Sequence, residues 1–304
     1  MIMSVLWTVG AIAAATVSFL GLRKLLFPKR STKGYPKDTV ILRFTGRARF
    51  VPSTSGFPIK LETYLRFAKI PYVTVFSAKL SPKKKIPWIE FNGLTMSDSS
   101  FIIEFLNDQF NVDLSKHLSP SDRAIARAFQ KMMEEEFYWT IAYSRWVDSR
   151  TQQIQAEVNL PRGFITTRIV PMFVKRYVKN CMHGHGIGRH SEKEIYHIAE
   201  KDLRAVSDFL GNKMFLFGDE PCEEDCAIFG QLAQALWQHK DSPQEKLIKG
   251  DCKNLQDYCH RMRDRFWPDW DRCTMGGTVE LKSFVSYPES DPTVYKPNQD
   301  SHSP

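Results

Sequence analysis

Apolar, β-branched runs are confined to a short stretch of this chain, and that confinement decides its architecture. Val40-Ile-Leu-Arg-Phe44 and Tyr72-Val-Thr-Val-Phe76 read as buried strands. Trp88-Ile-Glu-Phe91 and Leu94-Thr-Met96 flank Asn92-Gly93, two residues that accept positive φ, so a hairpin is expected there. Between the first two runs, Ser55 with Pro58 marks a helix start, because serine caps orphan amides and proline suits a first turn. That helix spans Phe57 to Ala68, with Leu61, Tyr64, Leu65 and Ala68 on one face. Ile70-Pro71 stops it, since a residue before proline avoids the α region. Ser81-Pro-Lys-Lys-Lys85 is a solvated loop. Ser97 or Asp98 caps a second helix that carries Phe101, Ile102, Phe105 and Leu106 at helical spacing. The order is β-α-β-β-α.

Beyond this unit the chain reads as helical. Ser121 to Val147 contains no Gly or Pro, and Ile125, Phe129, Met132, Met133, Phe137, Ile141 and Val147 recur with a helical period. Glu134, Glu135 and Glu136 fall on the polar side of that helix. Adjacent helical positions diverge by about 100°, so three in a row cannot converge on one ion. Further helical stretches run from Ser191 to Leu210, within Phe215 to Leu236, and from Leu255 to Trp267-Pro268. The segment Cys181-Met-His-Gly-His-Gly-Ile-Gly-Arg-His190 holds metal-ligand residue types, but its glycines favour a flexible loop and no second ligand pair has metal-site spacing. No metal site is assigned. The Gly-x-Gly-x-Gly in that segment follows no strand, which excludes a dinucleotide loop.

Charge and hydropathy single out the N-terminus. The formal net charge is +8, and residues 1–37 hold six basic residues and no acid, so the remainder carries 8 − 6 = +2. The basicity belongs to a short segment, and a nucleic-acid partner is excluded on that ground. Met1 to Leu22 has no charged residue, enough for the ~20 apolar residues of a membrane helix. Arg23, Lys24, Lys29, Arg30, Lys33 and Lys37 flank it on one side only, which places the folded part in the cytosol as a single-pass membrane protein. A secretory signal peptide needs a basic segment before the apolar run, and a mitochondrial leader should be amphipathic; neither pattern is present. The expected organisation is a membrane anchor and basic linker over 1–37, a β-α-β-β-α domain over 38–117, an all-helical domain over 118–273, and a disordered, Pro- and Ser-rich tail over 274–304.

The strand and helix order, with Ile86-Pro87 entering the third strand and Asp98-Ser99 opening the next helix, resembles the thioredoxin-like domain of the glutathione S-transferase superfamily. GDEPCEEDCAIFG resembles the start of the core helix of that superfamily's helical domain, with Cys222 at the cap of a box closed by Asp225. A cysteine accepts weakly, so this box is expected to be impaired. Together with VPSTSGFPIKLETYLRFAKIPY, PWIEFNG, DSSFIIEFL and YCHRMRDRFWPDWD, these stretches resemble the failed axon connections family, a metaxin-like branch of the superfamily, over about Thr39 to Asp271. The resemblance implies an α+β protein: an N-terminal membrane helix, a thioredoxin-like domain and an all-helical transferase-like domain. It implies a cis bond at Ile86-Pro87. It also implies a glutathione-like ligand held by the backbone at Ile86 and Pro87 and by the turn at Asp98 and Ser99.

Catalysis by that superfamily needs a hydroxyl or thiol that stabilises a thiolate near the first helix. The first cysteine is Cys181, and no Tyr lies between Tyr35 and Tyr64, so Ser53 and Ser55 are the candidates and Ser55 the better match. An N-cap role explains Ser55 equally well. Ten residues separate Phe76 from Pro87, which leaves little room for the helix that normally walls the glutathione pocket. The chain therefore reads as a membrane-anchored, metaxin-like interaction protein with protein partners, linked by resemblance to axon development. Glutathione is its only candidate cofactor, and a homodimer is compatible with the fold. The rival is a membrane-bound glutathione-dependent transferase in detoxification or metal-stress response. Alkaline carbonate extraction of cells expressing the full chain should leave it in the membrane pellet; release to the supernatant, or a mature N-terminus near Thr16, would refute the anchor.

Overall fold

The computed structural model describes residues 35–77, 79–148, 170–274 and 294–295. The apolar N-terminal run and nearly all of the tail from 274 lie outside them. The chain divides into two units, residues 1–39 and 40–304, and the fold belongs to the second. No helix among the described residues is long and apolar enough to cross a membrane.

Strand β1 (Val40–Phe44) pairs in parallel with β2 (Tyr72–Phe76), in register from Val40↔Tyr72 to Phe44↔Phe76. Helix α1 (Gly56–Phe67) makes the crossover between them. On the other side of β1 lies β3 (Trp88–Phe91), antiparallel, with Leu42 opposite Ile89. The β3–β4 hairpin (β4, Leu94–Ser97) turns at Asn92 and Gly93, with φ of 47° and 87°, as the Asn-Gly pair requires. Helix α2 (Ser99–Phe110) comes next and ends at Asn111, whose φ of 51° is left-handed. The sheet order is β4-β3-β1-β2-β5, where β5 is the two-residue strand Val294–Tyr295 beside β2.

The long Gly- and Pro-free stretch forms α3 (Pro120–Lys131), a π turn over Met132–Phe137, and α4 (Tyr138–Trp146). Ser119 caps α3, accepting from Asp122 N. The π turn inserts a residue into the helical repeat and rotates α4 relative to α3. Glu134, placed by its period on the polar side, is instead buried at 4% exposure. Helix α5 (Val170–His185) and a 3-10 turn (Ile187–Arg189) replace the flexible loop expected around Cys181–His190. Met182 and Ile187, packed with Ile195, give that segment an apolar anchor that its glycines conceal. Next come α6 (Glu192–Leu210), opened by the Ser191/Glu194 capping box, and α7 (Glu223–Ala233), which runs into a second π turn over Gln234–Gln238. The last helices are α8 (Pro243–Lys249) and α9 (Lys253–Phe266).

The Cys222 box, expected to be impaired, is formed in both halves. Asp225 Oδ2 still accepts from Cys222 N at 2.8 Å, and Tyr258 Oη donates to Asp225 Oδ1 at 2.8 Å. The Cys222 side chain accepts from Asp225 N and its thiol also faces the same carboxylate (3.3 Å), so both halves of the box are present. All six cysteines are free thiols, and five are buried.

Helix α1 organises both cores. Its Leu61, Tyr64 and Leu65 pack with Val40, Leu42, Phe44, Ile89 and Ile102 under the sheet, while Ile59 faces the helical core of Phe137, Leu203, Phe229 and Leu232. One apolar face was expected, yet nearly every residue from Gly56 to Arg66 is buried. The reason is backbone proximity between α1 and α7: a Cβ on Gly230 would lie 2.5 Å from Gly56 O, and one on Gly56 would lie 2.8 Å from Gly230 O. Only glycine at both positions permits this crossing. Gly230→Ala should therefore lower the unfolding free energy of the full chain by about 2–3 kcal/mol, measured as a reduced urea midpoint; an unchanged midpoint would show that the helices can separate freely.

Candidate functional site

The sequence points to three places around the start of α1: the turn before it, the link into β3, and the start of α2. Ser55 holds the N-cap position of α1, with extended backbone (φ −128°, ψ 141°), but its side chain makes no cap hydrogen bond. This corrects the capping expectation. Its own N–H instead donates to Ser53 Oγ at 3.3 Å. Ser53 is buried, and its carbonyl accepts from Gln234 Nε2 at 2.8 Å. The Thr54 carbonyl accepts from Arg145 Nη1.

Arg145 ties this turn to the helical part. It also donates to Gln234 Oε1 (2.5 Å) and to His239 Nε2 (2.8 Å). A guanidinium only donates, so Nε2 must accept and the proton sits on Nδ1, facing Ser144 Oγ at 3.1 Å. Burial, and then the Arg145 charge, hold His239 well below the usual histidine range, which keeps it neutral. The group at the centre of this cluster is thus a cation held by three bonds to the protein.

The Ile86–Pro87 bond is cis, as the resemblance implied. Pro87 is buried and Ile86 packs half-buried on the sheet core. Residues 79–87 run as a link with a turn at Pro82–Lys84. At the start of α2, Asp98 adopts φ 83° and its carboxylate accepts from Ser100 N at 3.1 Å. A helix N-terminus offers such amides to an anion; here the chain's own carboxylate takes one. Ser99 is buried.

What joins these places was not legible in the sequence. Lys60 of α1, 2% exposed, donates to Ser100 Oγ (2.9 Å) and pairs with Glu134 Oε1 (2.6 Å). Gln130 Nε2 completes the Glu134 carboxylate at 3.3 Å. A buried ion pair so fills the corner between α1, the start of α2 and the helical part. Beside it, Tyr64 Oη donates to Asn107 Oδ1 (2.7 Å), whose amide donates to Glu223 Oε2 (2.7 Å). Burial, with Glu223 adding to it, drives the Tyr64 hydroxyl far above the ordinary tyrosine range, so it keeps its proton, and that proton is engaged by Asn107 Oδ1.

No group of three or more His, Cys, Asp or Glu side chains is arranged for a metal among the described residues. His185 stacks on Trp139 at 5.2 Å, while His190 lies 3.9 Å from Glu194.

Comparison with known proteins agrees with this architecture. Residues 56–151 match the glutathione S-transferase N-terminal domain and residues 199–262 its C-terminal domain. Failed axon connections of Drosophila melanogaster is 30% identical over 84% of this chain, which spans 64% of that protein's length. The isoprene-epoxide glutathione S-transferase of Rhodococcus sp. strain AD45 is 31% identical over 71% of this chain and 94% of its own. Metaxin-2 of Mus musculus is 21% identical over 79% of this chain and 93% of its own. The β-etherase LigF of Sphingobium sp. strain SYK-6 superposes with a TM-score of 0.52 at 17% identity, over 74% of this chain and 94% of the etherase, and shares the fold.

Two substitutions separate capping from site chemistry. Ser55→Ala should change stability by less than about 0.5 kcal/mol. Asp98→Ala should cost about 1 kcal/mol or more, through the lost cap and the left-handed backbone it leaves to alanine. Thermal unfolding of the full-length variants reads both, and a large loss at Ser55 would reinstate its capping bond.

Proposed function

The chain belongs to the failed axon connections family, a metaxin-like branch of the glutathione S-transferase superfamily, and from that premise we propose that it is a membrane-anchored interaction protein of axon development that keeps the transferase fold without strong transferase chemistry. The observation that carries this reading is the closure of the turn before α1. Arg145 and Gln234 hold the Thr54 and Ser53 carbonyls from the helical side. Ser53 and Ser55 are the candidates for a thiolate partner there, and Ser55 is the better match. The Lys60–Glu134 pair occupies the adjoining corner, and Asp98 takes an α2 amide that a ligand carboxylate would need. A ligand carboxylate at the start of α2 would have to displace the bond from Ser100 N to Asp98.

Anchoring is supported by the uncharged run and its one-sided basic flank, which orient the folded part toward the cytosol. Protein partners are supported by Met172, Phe173 and Tyr177, which stand 61%, 63% and 70% exposed on α5, a grouping of large apolar side chains that isolated soluble surfaces seldom keep. Identity to a bacterial epoxide-conjugating transferase over nearly its whole length keeps one rival alive, a glutathione-dependent detoxification enzyme.

Calorimetric titration of glutathione into the full chain, with an epoxide conjugation assay alongside, decides between them. No saturable heat and no turnover above background is the expected result. Saturable binding with brisk conjugation, abolished by Ser55→Ala at unchanged stability, would establish the enzyme and end the interaction reading.

A further inference from the structure

The loop between β2 and β3 carries a charge excess that nothing in the fold consumes. Residues 77–87 hold Lys79, Lys83, Lys84 and Lys85 and no acid. All four lysines are exposed, and among the described residues none pairs with a carboxylate. Of the nearby acids, Glu90 pairs with Arg43 (2.7 Å) and Asp98 caps α2, which leaves Glu104, three residues beyond Phe101, as a single acid against four lysines.

The loop's backbone is nonetheless held firmly. Ser81, 4% exposed, accepts from Lys85 N through its hydroxyl (3.1 Å), donates its N–H to Lys85 O (3.2 Å), and accepts from Lys84 N through its carbonyl (2.8 Å). Trp88 Nε1 donates to Lys79 O at 3.0 Å. A buried serine and a buried tryptophan thus pin the backbone and leave the ammonium groups outside. Two large apolar side chains rise among them: Leu80, 46% exposed in the loop, and Phe101, 55% exposed on the first turn of α2. Lys83 Nζ lies 5.0 Å from the Phe101 ring centroid, so loop and helix form one patch.

We propose that Lys79, Leu80, Lys83, Lys84, Lys85 and Phe101 form a contact surface for an anionic phospholipid bilayer. The charge is complementary to acidic headgroups, and each lysine near such a surface adds attraction that decays within a Debye length. The cations are all lysines. A lysine is a point charge suited to a diffuse field, whereas a carboxylate-bearing peptide is better matched by the two-pronged arginine fork. Leu80 and Phe101 supply what a purely electrostatic contact lacks, apolar groups able to enter the headgroup boundary while the lysine stems lie along it. This contact is independent of the N-terminal run, and it would lay the β2–β3 end of the thioredoxin-like domain on the membrane.

The test uses the full chain with vesicles of phosphatidylcholine alone, or with phosphatidylserine added, followed by flotation and brief amine acetylation read by mass spectrometry. On the acidic vesicles, Lys79, Lys83, Lys84 and Lys85 should react roughly threefold or more slowly, while Lys193 and Lys201, exposed on α6, react unchanged. Salt at about 1 M, where the Debye length is about 3 Å, should erase the difference. Lys83→Glu/Lys84→Glu/Lys85→Glu should abolish the charge-dependent part of the protection. Flotation on both vesicle types without protection of these lysines would leave the N-terminal anchor standing and overturn the patch. Equal protection on neutral vesicles, equal protection by inorganic phosphate alone, or no flotation on acidic vesicles would overturn it too.

Discussion

Everything in the folded part depends on two helices touching backbone to backbone. Gly56 opens α1 and Gly230 lies within α7, and neither position has room for one further carbon. That contact brings α1 away from a plain amphipathic role and encloses it, with the sheet on one side and the helical core on the other. The two cores are consequently not independent: Cys226 of α7 packs in the sheet cluster and Ile59 of α1 in the helical one. A helix shared in this way transmits strain from either side, because close-packed interiors do not yield gradually.

Enclosing α1 strands its charges, and each is answered by a residue distant in sequence. Lys60 meets Glu134. Glu62 receives Arg47 at 2.6 and 2.9 Å and the Tyr72 hydroxyl at 3.1 Å. Arg66 pairs with Asp269, lies 4.0 Å from the Trp267 ring centroid, and donates to Phe266 O at 3.2 Å. Buried pairs of this kind contribute modest net stability, yet loss of one partner leaves an unpaired charge inside, typically a cost of several kcal/mol. They act less as glue than as a key, since a misplaced α1 would bury bare charges. Of these pairs, Lys60–Glu134 lies against the start of α2 through Ser100.

Legibility tracked distance along the chain. The strands, the Asn92-Gly93 hairpin and the Asp98 cap are local, and each was readable because its cause lies within a few residues. Ser55 was placed at the right position and given the wrong bond, since position is a matter of chain geometry while the hydroxyl's partner depends on the turn at Ser53. The Lys60–Glu134 pair spans 74 residues, and no periodicity announces it. Cys181–His190 misled because three glycines outweighed the apolar Met182 and Ile187 that fold the segment down.

The π turns have a consequence for how fixed this architecture is in its numbering. A π turn is a change of phase, one residue more than the α repeat needs, and here it divides a single long helix into two reading frames at Met132–Phe137. Arg145 lies in the second frame, and its partners Gln234 and His239 bracket the other π turn. Removing one residue from either turn would leave an unbroken helix, yet swing everything beyond it by about 100°. The bond from Arg145 to Thr54 would then point elsewhere, and the closed turn before α1 would open. What ties the turn before α1 to the helical part is thus a matter of count, two surplus residues set in separate helices.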